Sequence, residues 1–230
     1  MLIGPQNLTL HVNHVRSRIR SAAIAAGRDP NSVTLVAVTK AKTAESVRLA
    51  ATAGVTDFGE NYLQEAEAKM ELLADLKPTW HFIGGIQSNK TRAIAERFDW
   101  VQSVDRFSVA RRLSEQRPFH APPLNVCIQV ALVPEPTKGG VAPDVLTELA
   151  TAIAGLPRLT LRGLMCVPPP QPNAAAERAL FARLRVALTD LNAGGLKLDT
   201  LSMGMSQDFE SAIAEGATLV RIGTALFGAR

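Results

Sequence analysis

TLVAVTK, residues 34–40, is the stretch from which the fold of this chain can be worked out. The aliphatic and β-branched residues between Leu35 and Val38 are typical of a strand covered on both faces of a parallel sheet. The stretch then ends on Lys40. Because lysine is seldom buried without a partner, Lys40 is either a solvated strand end or an amine held at the mouth of an active site.

Segments with strand-like and helix-like patterns alternate along the whole chain. The predicted strands are 33–39, 55–59, 80–83, 100–103, 124–131, 160–166, 200–203 and 219–222. The predicted helices are 5–26, 44–53, 63–76, 89–97, 107–115, 145–154, 174–191 and 209–214. Eight alternations indicate parallel strands joined by crossovers. They predict a single-domain (β/α)8 TIM barrel over residues 1–230 with an extra N-terminal helix. An open doubly wound sheet is the alternative.

Composition and charge exclude several classes of function. The 230 residues are 47% hydrophobic and 20% charged, with a net charge of +4, which is typical of a globular protein with a full core. The charges are scattered, so nucleic-acid binding is not expected. The N-terminus does not resemble a signal segment, and no apolar run reaches the roughly 18 residues of a membrane span. We therefore expect a cytoplasmic protein with no membrane partner.

The cysteines and the N-terminal histidines do not indicate a metal site. Cys127 and Cys166 lie in apolar runs, which predicts buried thiols in a reducing compartment and not a disulfide framework. His11 and His14 are three residues apart, but they lack nearby acidic or sulfur partners that would complete a metal site.

In a (β/α)8 barrel the chemistry lies at the carboxyl ends of the strands. The residues at or near those ends include Lys40, Glu60, Asn61, His81, Met165, Ser202, Met203, Ser206, Arg221, Gly223 and Thr224. Small residues after strands seven and eight expose backbone N–H groups that suit a phosphate. The alternative for Ser206 and Thr224 is an ordinary helix N-cap. No Walker or dinucleotide glycine pattern occurs, so a single phosphate group is the better match.

Lys40, facing this phosphate site across the barrel mouth, supplies what pyridoxal phosphate requires, namely an amine for its aldehyde and an anchor for its phosphate. A guanidinium from Arg221 beside the pyridine nitrogen keeps its proton, and so weakens the ring as an electron sink. That arrangement suits a stored cofactor, or racemisation without a stable carbanion. The alternative for Arg221 is a salt bridge that closes the barrel.

Six short motifs occur in a characteristic order. They are AVTK (37–40), FGENY (58–62), WHFIG with QSNK (80–84 and 87–90), GLM (163–165), LSMGMS (201–206) and VRIGT (220–224). The sequence from about Val33 to the C-terminus resembles the pyridoxal phosphate homeostasis proteins (YggS/PROSC-like), which are relatives of the alanine racemase N-terminal barrel. The resemblance implies a Schiff base of the cofactor on Lys40. The other cofactor-binding residues that it implies are Asn61, His81, Met203, Ser206, Arg221, Gly223 and Thr224.

One loop departs from the family pattern. Pro136 occupies the position, two residues before Lys138, at which many relatives carry an asparagine. Any role of this loop in the family therefore does not transfer directly to this chain, although Lys138 is retained.

The resemblance implies a role in intracellular vitamin B6 homeostasis without established catalytic turnover. A racemase needs a second acid/base opposite the imine lysine, and in the racemases that resemble this barrel it is a tyrosine of a second domain. This chain ends seven residues after Gly223, and its only tyrosine is Tyr62. We therefore expect a monomeric carrier that passes pyridoxal phosphate to apo-enzymes. The alternatives are a weak racemase-like or transaminase-like enzyme, a cofactor-free Schiff-base aldolase, and a barrel that acts through protein contacts.

Overall fold

Eight parallel strands form one closed barrel in the computed structural model, which describes residues 5–133 and 139–228. The strands are β1 Thr34–Val38, β2 Asp57–Glu60, β3 Thr79–Phe82, β4 Trp100–Val104, β5 Leu124–Gln129, β6 Leu159–Met165, β7 Thr200–Ser202 and β8 Leu219–Ile222. Each strand pairs with its neighbours in chain order, and β1 also pairs with β8. The predicted (β/α)8 barrel is confirmed, and the open doubly wound alternative is wrong.

Helices precede, connect and follow the strands of this barrel. They are α1 Pro5–Ala25, α2 Ala44–Thr52, α3 Leu63–Leu72, α4 Thr91–Arg97, α5 Phe107–Gln116, α6 Leu146–Ala154, α7 Ala174–Ala193, α8 Phe209–Ala214 and α9 Thr224–Phe227. The predicted ranges agree to within a few residues. The largest difference is in α3, predicted to continue to residue 76. It ends earlier because Leu73 leaves the helical conformation, with a φ of −121°, and is buried in the core.

The N-terminal helix α1 packs against the last two helices of the barrel. Its buried residues Val12, Val15, Ile19 and Ala23 recur every three or four positions, which places them on one face of the helix. This face contacts α8 and α9, and His11 Nδ1 lies 2.9 Å from the carbonyl oxygen of Leu226. The extra helix that the sequence predicts therefore supports the part of the barrel that carries the loops after β7 and β8.

The closure of the barrel corrects one expectation about the site. Lys40 was expected to face the phosphate loops across the mouth. Instead, β1 and β8 are hydrogen-bonded neighbours, with Val36 opposite Arg221 and Ala37 opposite Ile222. Strands that close in chain order make the first and the last adjacent. Lys40 and the loop that begins at Gly223 therefore lie side by side.

Cys127 and Cys166 are free and buried, as predicted. Burial raises the pKa of each thiol to about 12, so neither is a reactive thiolate near neutral pH. No cluster of three metal-ligating side chains occurs in residues 5–133 and 139–228. Among the described helices, none is both long and apolar enough to cross a membrane.

Candidate functional site

A cavity of about 390 Å³ opens at the carboxyl ends of the strands. Six of the eight predicted cofactor-binding residues line it, namely Lys40, Asn61, Ser206, Arg221, Gly223 and Thr224. The other lining residues are Val38, Ile83, Val167, Pro170, Gln171, Glu177, Met205, Gln207 and Asp208. Residues from the two ends of the chain thus meet in one space, at the end of the barrel where such folds carry their chemistry.

Lys40 occupies a tight turn that follows directly on β1. The Lys42 N–H donates to the Thr39 carbonyl oxygen at 3.0 Å, and Ala41 between them has a φ of 58°. Lys40 is half-buried. Because the chain turns here, the rule that residues two apart in a strand share a face does not apply to Lys40 and Lys42. The Lys42 ammonium donates to the Phe227 carbonyl oxygen at 3.2 Å, at the end of α9.

The lining does not include His81 and Met203, the two remaining predicted residues. His81 is fully buried between Asp57 and Gln102 in the barrel interior, and Met203 is fully buried in the core. Gly204 has a φ of 95°, and a Cβ there would lie 2.7 Å from that of Ala212. The chain turns at this glycine, and Met205, beyond it, lines the cavity.

A chain of buried hydrogen bonds links Arg221 in the cavity to Asp57 at the start of β2. Arg221 Nη1 donates to Ser202 Oγ at 2.6 Å, and Ser202 Oγ donates to Gln102 Oε1 at 2.6 Å. Gln102 Nε2 donates to His81 Nδ1 at 2.8 Å. Because an amide nitrogen is only a donor, this contact leaves the ring proton of His81 on Nε2. That nitrogen therefore donates to Asp57 Oδ1 at 2.9 Å.

The two ends of this hydrogen-bond network, Asp57 and Arg221, carry opposite charges. Burial acts to raise the pKa of Asp57, but hydrogen bonds from His81 and Thr56 outweigh it and lower that pKa. Burial lowers the pKa of Arg221. Its two hydrogen bonds go to neutral oxygens, those of Ser202 and the Cys166 carbonyl. Within the described chain Arg221 therefore makes no salt bridge, and only two of its five N–H donors are used.

The loops after β7 and β8 are joined to each other. The Ala225 N–H donates to Ser206 Oγ at 3.3 Å, and the Met205 N–H donates to Asp208 Oδ1 at 2.6 Å. Burial raises the pKa of Asp208. Glu177 Oε2 accepts a hydrogen bond from Ser211 Oγ at 2.5 Å. Neither carboxyl group is predicted by the sequence, because both lie beyond the strand ends and only tertiary packing brings them to the cavity.

One buried polar atom of the lining has no partner among residues 5–133 and 139–228. Asn61 Oδ1 is buried and accepts no hydrogen bond from any described residue. Buried acceptors in native proteins are normally paired, so this atom suits a donor on a bound ligand. The amine of Lys40 and the N–H groups of Arg221 that no described residue accepts are donors, and Asn61 Oδ1 is an acceptor, so the lining fits a small anionic ligand that also carries a hydrogen-bond donor.

Comparison with known proteins agrees with this geometry. The protein-family model described as "Alanine racemase, N-terminal domain" matches residues 10–230 of this sequence. The "Pyridoxal phosphate homeostasis protein" of Pseudomonas aeruginosa is 62% identical over 220 residues, which are 96% of this chain and 94% of that relative. The chain belongs to the pyridoxal phosphate homeostasis protein family. The Escherichia coli protein of the same name is 48% identical over 219 residues, 94% of each chain.

Two solved structures of a similar protein share the barrel. PipY of Synechococcus elongatus, solved with PLP bound, has a TM-score of 0.86 at 39% identity and covers 96% of this chain and 100% of its own. Its structure without PLP has a TM-score of 0.87 at 40% identity. The family predicted from the six motifs is confirmed. The predicted departure at Pro136, with Lys138, lies outside the described residues.

Proposed function

We propose that this protein binds pyridoxal 5'-phosphate in the cavity of about 390 Å³ and acts in intracellular PLP homeostasis. The observation that carries the proposal is the convergence of Lys40, Arg221 and the loops after β7 and β8 on this one space. The names of the family members and the PLP-bound state of PipY support it.

Each part of the cavity has a distinct role in this proposal. Bound pyridoxal phosphate would supply an aldehyde that a primary amine can attack reversibly, with loss of one water. Lys40 would provide that amine, and the loops that contain Ser206, Gly223 and Thr224 would hold the phosphate. Arg221 would keep its charge in the cavity, and Asn61 Oδ1 would be free to accept a hydrogen bond from the ligand.

His81 and Met203 have indirect roles in this proposal. His81 orients Gln102, whose Oε1 accepts the hydrogen bond of the Ser202 hydroxyl and so leaves the Ser202 oxygen to accept from Arg221. Met203 packs in the core immediately before the turn at Gly204. Their contribution to cofactor binding therefore stays a prediction, and it passes through the residues that line the cavity.

Reduction of the PLP-loaded protein with borohydride, followed by peptide mapping, tests the assignment directly. We expect the pyridoxyl group on the peptide that contains Lys40, because this amine lines the cavity. Lys42 is the informative neighbour, since its ammonium donates to Phe227 in the structure. A label on any other lysine, or no label at all, would refute the proposed site.

A weak racemase-like activity is the second candidate function. The titratable side chains of the lining other than Lys40 and Arg221 are Glu177 and Asp208. Each already accepts a hydrogen bond within the protein, and Tyr62 lines a neighbouring cavity instead. We therefore propose a carrier and not an enzyme. Deuterium exchange at Cα of L-amino acids, faster than with free PLP, would establish turnover.

The proposal also places the protein in the cytoplasm, as a monomer that passes PLP to PLP-dependent apo-enzymes. These points rest on the sequence and on the homeostasis role in the names of the relatives. In this proposal the protein works by retaining and releasing the cofactor, and not by using the cofactor to catalyse a reaction.

A further inference from the structure

A cluster of three charged side chains, of which Lys69 and Glu60 are buried and Glu65 is partly exposed, lies against the turn that carries Lys40. Lys69 Nζ, from α3, donates to Glu60 Oε1 at 2.7 Å, to Glu65 Oε1 at 2.6 Å and to the Thr39 carbonyl oxygen at 2.6 Å. The Lys69 side chain is 6% exposed and that of Glu60 is 0% exposed. These three contacts use all three N–H donors of the ammonium group.

The cluster holds the backbone on both sides of Lys40. On one side, Thr39 gives its carbonyl oxygen to Lys69 and donates from Oγ to Glu60 Oε1 at 2.6 Å. On the other side, the Ala41 N–H donates to Glu65 Oε1 at 2.6 Å. Ala41 has a φ of 58°, a left-handed conformation that is uncommon for a residue with a side chain. The contact from Glu65 therefore fixes a turn that alanine does not favour by itself.

Stability alone does not account for such a cluster. A buried ion pair is often no more stabilising than apolar residues of the same volume, because both charges lose their hydration. Here burial raises the pKa of Glu60 even though Lys69 and Thr39 donate to it. Glu60 Oε2 is also buried and accepts no hydrogen bond from a described residue. What the cluster provides is a defined geometry for the two residues that flank Lys40.

We propose that Lys69, Glu60 and Glu65 are positioning residues that direct the Lys40 amine toward the aldehyde of a bound ligand. The inference rests on the proposed function, because it assumes that Lys40 forms the imine. Lys69 itself does not line the cavity, so its contribution is through the backbone on either side of Lys40.

Comparing two ligands of similar shape, one with an aldehyde and one without, tests whether the cluster positions Lys40. Pyridoxal phosphate condenses with an amine, whereas pyridoxamine phosphate has a similar shape but carries no aldehyde. In the Lys69→Met variant we expect the imine absorption band to form about 100-fold more slowly, since small misplacements of a reacting group cost that much. The affinity for pyridoxamine phosphate, measured by calorimetry, should stay within about twofold, because its binding does not depend on where the Lys40 amine points.

A milder variant keeps the test valid if Lys69→Met does not fold. Glu65→Gln removes one charge from the cluster and keeps the size of the side chain. Its matched control is Glu67→Gln on the same helix, since Glu67 pairs with Arg97 at 3.1 Å and makes no hydrogen bond or ion pair with the Lys69 cluster. We expect slower imine formation in Glu65→Gln and a wild-type rate in Glu67→Gln.

The outcomes separate this inference from the function on which it rests. An unchanged rate of imine formation in both Lys69→Met and Glu65→Gln would overturn the positioning role alone. Equal weakening of both ligands would overturn it too, by showing a general structural defect. If the wild-type protein forms no imine on Lys40, the proposed function fails and the positioning role fails with it.

Discussion

Lys40→Ala will abolish the imine absorption band of the protein and weaken the binding of pyridoxal phosphate by about 100-fold, or ~2.7 kcal/mol. The variant loses the covalent bond, but it keeps Arg221 and the loops after β7 and β8 that line the same cavity. Residual, non-covalent binding should therefore remain. Absorbance titration measures the band, and equilibrium dialysis measures the total cofactor bound.

Lys42→Ala is the matched control for this variant. It removes an amine two residues away, whose ammonium donates to the Phe227 carbonyl oxygen. We expect Lys42→Ala to keep the absorption band, because the cavity lining contains Lys40 and not Lys42. The assignment of the imine to Lys40 fails if Lys40→Ala keeps the band or if Lys42→Ala loses it.

Gly84→Ala should destabilise the protein by about 3 kcal/mol, because overpacking a dense region forces the backbone to shift. A Cβ at Gly84 would lie 2.1 Å from the Asn61 carbonyl oxygen. Ser103 Oγ donates to the Gly84 carbonyl oxygen at 2.5 Å and holds the loop from the other side. Since Asn61 lines the cavity, cofactor affinity should fall as well. Urea denaturation gives the free energy of unfolding.

The next residue provides the control within the same loop. A Cβ at Gly85 has no heavy atom within 4 Å, and Gly85 has no positive φ. Gly85→Ala should therefore change the free energy of unfolding by less than about 0.5 kcal/mol. Similar losses in the two variants would show that the effect comes from the flexibility of the loop and not from the close contact with Asn61.

The sequence was sufficient for the architecture and for six of the fifteen residues that line the cavity. Alternating strand and helix patterns predict parallel strands, eight of which suit a barrel, and a barrel brings the carboxyl ends of its strands together. Lys40, Asn61 and Arg221 could be placed at one mouth for this reason alone. Their positions needed only the order of the strands, and no details of side-chain packing.

The sequence could not provide the contacts that depend on packing between distant elements. Ser202 and Gln102 are bonded across 100 residues of chain, and no local pattern joins them. The only signal was the presence of His81 and Gln102 as polar residues inside apolar strands, where buried polar groups need partners. The sequence contained no signal at all for Lys69, since a lysine on an amphipathic helix is normally solvated and so is not expected in a buried cluster.

The pairing of β1 with β8 bears on how the protein resists proteolysis in the cell. Thr34 lies opposite Leu219, so the contact between β1 and β8, which we call the seam, joins segments that are far apart in sequence. Forming the seam therefore requires the ordering of the long stretch of chain between these two strands. A ligand that contacts both sides of the seam binds only the closed state and stabilises it by mass action. We therefore expect the fraction of molecules with a closed barrel, and so the survival of the protein against proteolysis, to rise with the supply of vitamin B6.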